Sequence, residues 1–536
     1  MKSSKKHLSM WMLILLLSIG LAACASEPDG GGDAGGDGED TGSTEEGSGG
    51  DLVIDTQSEA IALDPHIVND VPSGNVQSNI YETLVFFDED MNVQNGLAED
   101  WSQVDETTLE FTLREDITFT DGEPFNAEAV EANIERITDE AIASQRAFLF
   151  EDIVEINVVD EYTIQFITEQ PNAALVYSFA HNGGSMISPA AIEEDYAAME
   201  GGADPGSVIS PNPVGTGLFT LDEWNSGQSI RLVKNEDYWN EPAKLDSVTF
   251  QVVTEGGTRL ANIETGSAHV SEPTSPSDVN RIENSDTMEL LETESLNISY
   301  IGFNTQAEPF DDVRVRRAIS MAINSEDIVN NLFNGYGIPA EGPMAPGVIG
   351  YDDALEPIEY DPEAAEELLA EAGYGDGFSF TISTNDTQER QDLATFVQAE
   401  LEKIGLDVNI EILEWGAYLE QTGQGNTEMF VLGWSSATGD ADYALAPLFH
   451  SDNVGAEGNR SFFENEEVDA LLTEAKYELD NTKRNELYSE AQQLIIDEAP
   501  MLFTHHKVDL NAYSSNVHGL YRHPTGDFWL KDVYID

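Results

Sequence analysis

The chain carries a single cysteine, Cys24, in 536 residues, so no disulfide can close within it and no cysteine-based zinc site can form. Cations are scarce as well: 23 Lys plus Arg stand against 102 Asp plus Glu, for a net charge of −79. Nucleic-acid binding needs clustered Lys and Arg, and that imbalance argues against it. The usual marks of catalysis are also missing. There is no H-E-x-x-H zinc motif and no P-loop, and Gly433-Trp434-Ser435-Ser436-Ala437 lacks the closing glycine of a nucleophile elbow. Gly215-Thr216-Gly217 lacks the third glycine of a dinucleotide fingerprint. No nucleophile, base and orienting group can be assembled, so no enzyme, no cofactor and no metal site is expected.

The one long apolar run is N-terminal. Lys2, Lys5 and Lys6 precede Met10 to Leu21, a charged and then apolar leader too short to span a bilayer, and it closes on Ala22 and Ala23. Leu21-Ala22-Ala23-Cys24 resembles the lipobox of bacterial lipoproteins. The resemblance implies a signal peptide over 1–23 and a lipid on Cys24 that ties the protein to the extracellular face of the cell membrane. Residues 24–50 are rich in Gly, Ser, Asp and Glu and read as a disordered acidic tether. The ordered chain is expected from Asp51, where Leu52, Val53 and Ile54 open a strand.

Acids are spread along the whole chain, and such self-repulsion is relieved by salt, whose Debye length falls from roughly 8 Å at physiological strength to about 3 Å at 1 M. A protein that folds in brine is the reading that fits. Apolar content of 40% is ordinary for a globular core, and residues 51–536 exceed the roughly 250 to 300 that a single core can serve. Leu109, Phe111 and Leu113, like Val248, Phe250 and Val252, alternate with polar neighbours as half-buried strands do. Asp361-Pro362-Glu363 opens a helix that Gly373 closes, with Ala365, Leu368, Leu369 and Ala372 on one face; Asn465 opens another over Val468, Leu471, Leu472 and Ala475. The class is α/β with mixed α+β character.

Candidate binding residues gather in two places. Trp415 and Tyr418 precede an apolar strand, Met429 to Leu432, that runs into Trp434, Ser435, Ser436, Ala437, Thr438, Gly439, Asp440, Ala441, Asp442 and Tyr443. Flat rings beside hydroxyls and free backbone amides suit a pocket for a small polar solute. His181-Asn182-Gly183-Gly184 places a polar pair where backbone can approach a ligand. His505 and His506 are expected on opposite faces of a strand, one structural and one at the surface. Arg314, Arg316 and Arg317 follow Asp311-Asp312 and read as internal ion pairs.

Several long runs resemble the family 5 extracellular solute-binding proteins of ABC importers, a family of peptide, nickel and related receptors. They are GLAEDW ending at Trp101, FTLREDITFTDGEPFNAEAV from Phe111, PVGTGLF from Pro213, LVKNEDYW from Leu232 and IGFNTQAEPFDDVRVRRAISMAI from Ile301. The resemblance implies a two-lobe, periplasmic-binding-protein-like clamp with an inserted subdomain. Its parts would be 51–85 and 205–299 in the first lobe, 86–204 as the insert, 300–503 as the second lobe and 504–536 returning to the first, with crossovers near Tyr300 and Thr504.

HNGG and WSSATGDADYAL look most like the glutathione-binding branch. Typical dipeptide receptors of the family place an aspartate where Ala437 stands, as partner for the peptide's amine, and that anchor is missing unless Asp440 or Asp442 replaces it. Arg460, one of thirteen arginines, is a candidate fork for a ligand carboxylate, and Thr384 and Asn385 are secondary polar candidates. The leading expectation is a monomeric, lipid-anchored receptor that delivers glutathione or a small peptide to membrane permease subunits. A nickel or metal-chelate receptor and a generic di- or oligopeptide receptor are the alternatives, and a secreted hydrolase ranks last.

Overall fold

The computed structural model describes residues 49–385, 387–455 and 458–536. Cys24 and the expected tether up to residue 48 lie outside the described residues.

Two long strands, Met288–Phe303 and Met501–Ser514, form the spine. They pair antiparallel from Met288 opposite Ser514 to Gly302 opposite Met501, and the register breaks between Glu294 and Ile298. An 11-stranded mixed sheet is built around them. Beside Met501–Ser514 it continues through Val270–Glu272, Asp51–Thr56, Ser247–Val252, Ser229–Lys234 and Phe219–Asn225; beside Met288–Phe303 it continues through Met429–Ser435, Ser379–Asn385 and Asp407–Leu413, and the short Ile338–Pro339 pairs with Met501–Ser514 off this path. The break at Glu294 therefore lies where two half-sheets meet, and Glu294 is the last residue before it to pair, with Val508. A separate four-stranded antiparallel sheet, Ala98–Asp105, Thr108–Leu113, Thr163–Thr168 and Ile153–Asp160, carries the helix Ala127–Thr138. Its core centres on Phe179, whose ring lies 4.9 Å from Phe111 and 4.6 Å from Phe166.

Local chemistry explains the elements. Phe111 and its alternate neighbours Leu109 and Leu113 are buried while Glu110 and Thr112 between them are not, the period-2 pattern of a strand with one core face. Helix Pro362–Ala372 starts under an Asp361 cap that accepts from Ala364 N, and ends at Gly373 with φ +97°, a conformation that suits glycine. Helix Glu466–Tyr477 starts under Asn465 and buries Val468, Leu472 and Ala475. Among the described residues no helix is long and apolar enough to cross a membrane.

One expectation needs amendment, and the internal ion pairs expected of three arginines are present with partners from two elements. His505 and His506 are both buried, each 2% exposed. Strand alternation does send them to opposite faces, but this strand has a core on each side: its neighbours Leu502 and Phe503 belong to different apolar clusters. Burial holds both imidazoles neutral, pushing His505 down to about 3 and His506 to about 4. Of the three arginines after Asp312, only Arg314 pairs with that residue; Arg316 and Arg317 reach Glu498 and Asp497 at the end of the helix Asn481–Glu498.

Candidate ligand-binding cleft

Strands Ser379–Asn385 and Met429–Ser435 run parallel, so their C-terminal ends open on one side of the sheet, the side where open α/β sheets gather their ligands. Thr384 and Asn385 end the first strand, both buried, and the Thr384 hydroxyl has no partner. Asn385 donates to Thr387 Oγ1 at 2.8 Å and accepts from Arg390 at 3.3 Å. Arg390 lies 5.2 Å over the ring of Trp415, which is 42% exposed, a cation–π arrangement that steers the guanidinium. Tyr418 is committed to the core: it is 0% exposed and its hydroxyl donates to Val431 O at 2.7 Å. It backs the wall that Trp415 presents. Arg460 donates to Leu419 O at 2.6 Å and Thr422 Oγ1 at 2.7 Å, and burial lowers its pKa. A carbonyl and a side-chain hydroxyl thus hold it beside Tyr300 and Tyr418, whose buried hydroxyls both lie within reach of the charges on Arg390 and Arg460.

The second strand ends in the 435–440 loop. Ser435 is exposed, opposite Asn297; Ser436 is buried, and its N–H donates to Leu296 O at 3.0 Å. Gly439 has φ +66°, a left-handed conformation that favours glycine, and a Cβ there would also displace the flexible end of Met91. Thr438 is 5% exposed with an unpartnered hydroxyl. Asp440 is not available to a ligand: it is 1% exposed and accepts from both terminal nitrogens of Arg484, at 2.7 and 2.6 Å. It also caps the helix Ala441–Phe449 through Asp442 N. Asp442 faces Lys476, Arg484, Asp440 and Asp152, and burial pushes its pKa up to about 6.

Residues leading into the strand Ile153–Asp160 of the four-stranded sheet meet this region. Trp434 packs 5.2 Å from Tyr443 and donates to its carbonyl at 2.9 Å, while Phe148 stacks on Tyr443 at 5.3 Å with only 6° between the rings. An ion pair of 2.9 Å joins Lys476 to Asp152, which Asn172 also contacts at 2.9 Å. Next to this seam Arg146 is 6% exposed, with Nε donating to Val68 O at 2.7 Å and Nη1 at 3.1 Å from both ring nitrogens of His181. His181 accepts from Gly183 N at 2.8 Å, and burial with the adjacent Arg146 charge holds it well below its usual value, so the ring stays neutral. Burial alone lowers Arg146 to about 10, which still leaves it charged at neutral pH. Asn182 donates to Gln77 Oε1 at 2.8 Å and accepts from Ser185.

Trp434 and His181 thus gather with Tyr443, Phe148 and Arg146 at the seam, whereas Trp415, Asn385 and Arg460 form a second group around Arg390; no contact of the Thr438 side chain joins it to either group among the described residues. Tyr443 closes the run singled out in the sequence, whereas Arg146, Phe148 and Arg390 were passed over. The arginines carried no motif of their own, although a buried arginine stands out in so acidic a chain.

This architecture has known counterparts. The model of bacterial extracellular solute-binding proteins, family 5, matches residues 92–456. The chain belongs to this family. It is 36% identical to the glutathione-binding protein GsiB of Salmonella typhi over 492 residues, covering 90% of this chain and 94% of that one. GsiB of Escherichia coli K12 matches at 35% over the same length. Among solved structures, the periplasmic binding protein DppA of Helicobacter pylori, in complex with peptide STSA, aligns with TM-score 0.79 and 30% identity over 91% of this chain and 98% of its own. A dipeptide-binding protein of Pseudoalteromonas in complex with Met-Leu aligns with TM-score 0.79 and 26% identity, over 91% and 100%. The family 5 member described here is therefore a solute-binding protein of the ABC-importer kind, with a two-lobe fold, and not an enzyme.

Proposed function

We propose that this protein captures glutathione or a small peptide between its lobes and passes it to an ABC permease. The observation that carries the reading is Arg146: a guanidinium 6% exposed, held by a neutral histidine and a carbonyl and by no ion pair among the described residues, beside the Trp434–Tyr443–Phe148 aromatic seam. A buried cation without an acid is costly unless a ligand anion supplies one, and a carboxylate takes a guanidinium bidentately. The resemblance to GsiB supports glutathione as that ligand. A metal chelate that bears carboxylates would use the same arginine and is the second reading.

A titration in molar salt, followed by tryptophan emission, separates the readings, because Trp434 and Trp415 both border the cleft. Glutathione, its oxidised form, several dipeptides and nickel are the ligands to compare. Saturable binding of glutathione is expected, and Arg146→Met should weaken it by about 1.5–3 kcal/mol, the worth of a charged hydrogen bond. No response to any peptide would sink the reading.

Cys24 would act as the lipid anchor that keeps a monomeric receptor at the extracellular face beside its permease. Cys24→Ser should then release the protein from membranes while leaving ligand affinity unchanged. Loss of affinity in the soluble variant would contradict that division.

A further inference from the structure

The proposed reading gives the ligand's carboxylate a partner and leaves its amine without one, because Ala437 carries no charge and Asp440 is consumed by Arg484. Another acid stands in the right place. Asp527 lies in the 523–527 turn, closed by His523 N donating to Asp527 O at 2.8 Å, and Thr525 Oγ1 holds its Oδ2 at 3.2 Å. Among the described residues it forms no ion pair. Its Oδ1 is aimed over Gly74, where an added Cβ would stand 3.7 Å from it and 3.6 Å from Asn182 Nδ2. Asn182 follows His181, the residue that holds Arg146, and Asp527 is one of the charges that act on Arg146. An acid without an ion pair and a buried guanidinium without one thus lie near Asn182, whose orientation Gln77 fixes.

We propose that Asp527 receives the amine, and Arg146 the carboxylate, of a single α-amino-acid head group. This rests on the reading above and makes it more specific. A γ-linked glutamyl group carries both charges on one carbon, whereas an ordinary α-linked peptide has its amine at one end and its carboxylate at the other. The subsite therefore selects γ-glutamyl peptides, and the replacement at Ala437 follows from it: the amine no longer lies at the peptide end where family dipeptide receptors expect it.

The test compares glutathione with glutaryl-cysteinyl-glycine, which lacks only the amine, and with α-linked Glu-Cys-Gly, by calorimetric titration of the purified protein in molar salt. Native protein should prefer glutathione over the des-amino analogue by roughly tenfold to a hundredfold, the range of a charged hydrogen bond, and should prefer it over the α-linked isomer too. Asp527→Asn should bring glutathione and the des-amino analogue within about threefold of each other. The ratio is internal to each variant, and Asp527→Ser provides a second replacement if the amide variant fails to fold. A preference that survives both substitutions overturns the assignment of Asp527 while leaving glutathione capture intact. Native protein that binds dipeptides but not glutathione overturns both.

Discussion

Asp440→Asn is a demanding test of how the cleft is held together. Asp440 and Arg484 are 1% and 2% exposed, and their two hydrogen bonds are 2.7 and 2.6 Å long. Replacing the carboxylate with an amide keeps the volume and the helix cap, since asparagine caps about as well as aspartate, but removes the charge. Arg484 would keep one neutral amide oxygen in place of the carboxylate, with Tyr488, whose hydroxyl is 3.3 Å away and whose ring lies 4.9 Å beneath it, and the more distant Asp442. Its Nε already has no partner. Breaking a buried pair from one side typically costs about 3–5 kcal/mol, and Asp440→Ala should add about 1 kcal/mol for the lost cap. Chemical denaturation in molar salt reads these losses directly. The double variant Asp440→Asn with Arg484→Met leaves no buried charge and should recover much of the loss. A single-variant loss below about 1 kcal/mol, or a double variant as costly as the two singles added together, would refute the reasoning. Glutathione affinity of the surviving folded Asp440→Asn protein should be nearly unchanged, because the acid supports the loop and does not touch the ligand.

Three further outcomes are expected. Asp442 has a folded-state pKa raised to about 6 from an ordinary carboxyl value near 3.8, so folding takes up a proton between those limits and its charge opposes the fold above pH 6; Asp442→Asn should therefore stabilise the protein at pH 7 to 8 and leave it unaltered at pH 3.5, and melting curves that show equal effects at both would contradict this. The Lys476–Asp152 pair, 27% and 32% exposed, bridges the inserted sheet and the helix Glu466–Tyr477; Lys476→Ala should speed ligand release a few-fold, consistent with about 1 kcal/mol for a partly exposed pair, and the swap Lys476→Asp with Asp152→Lys should restore the native rate in stopped-flow measurements. With a net charge of −79, the melting temperature should rise between 0.2 and about 2 M sodium chloride, and a protein equally stable at both would remove brine from the account.

What could be read from residue order was what depends on neighbours in the chain. The Asp361 cap, the Pro362 start and the Gly373 stop specify their helix locally, and alternation around Phe111 specifies its strand. His506 shows the limit: alternation says which face a residue takes, but not that both faces are covered. The site divides in the same way. Trp434, Thr438 and Gly439 were legible because they lie close together along the chain, at one strand end and the loop after it, whereas the Arg146–His181 contact joins residues 35 apart and the Arg484–Asp440 pair residues 44 apart. Asp440 looked like a free acid among small residues, and only the distant arginine shows that it is spent. Tyr418 looked like an aromatic wall, and its hydroxyl turned out to serve the backbone of a neighbouring strand.

The strand Met501–Ser514 has a consequence for how the molecule comes apart. It pairs with Met288–Phe303 on both sides of the register break and with Val270–Glu272 beyond it, so the two half-sheets share this one element. Without it, Met288–Phe303 would have a bare edge in one half and Val270–Glu272 in the other. Loosening a single strand would therefore unfasten both halves together.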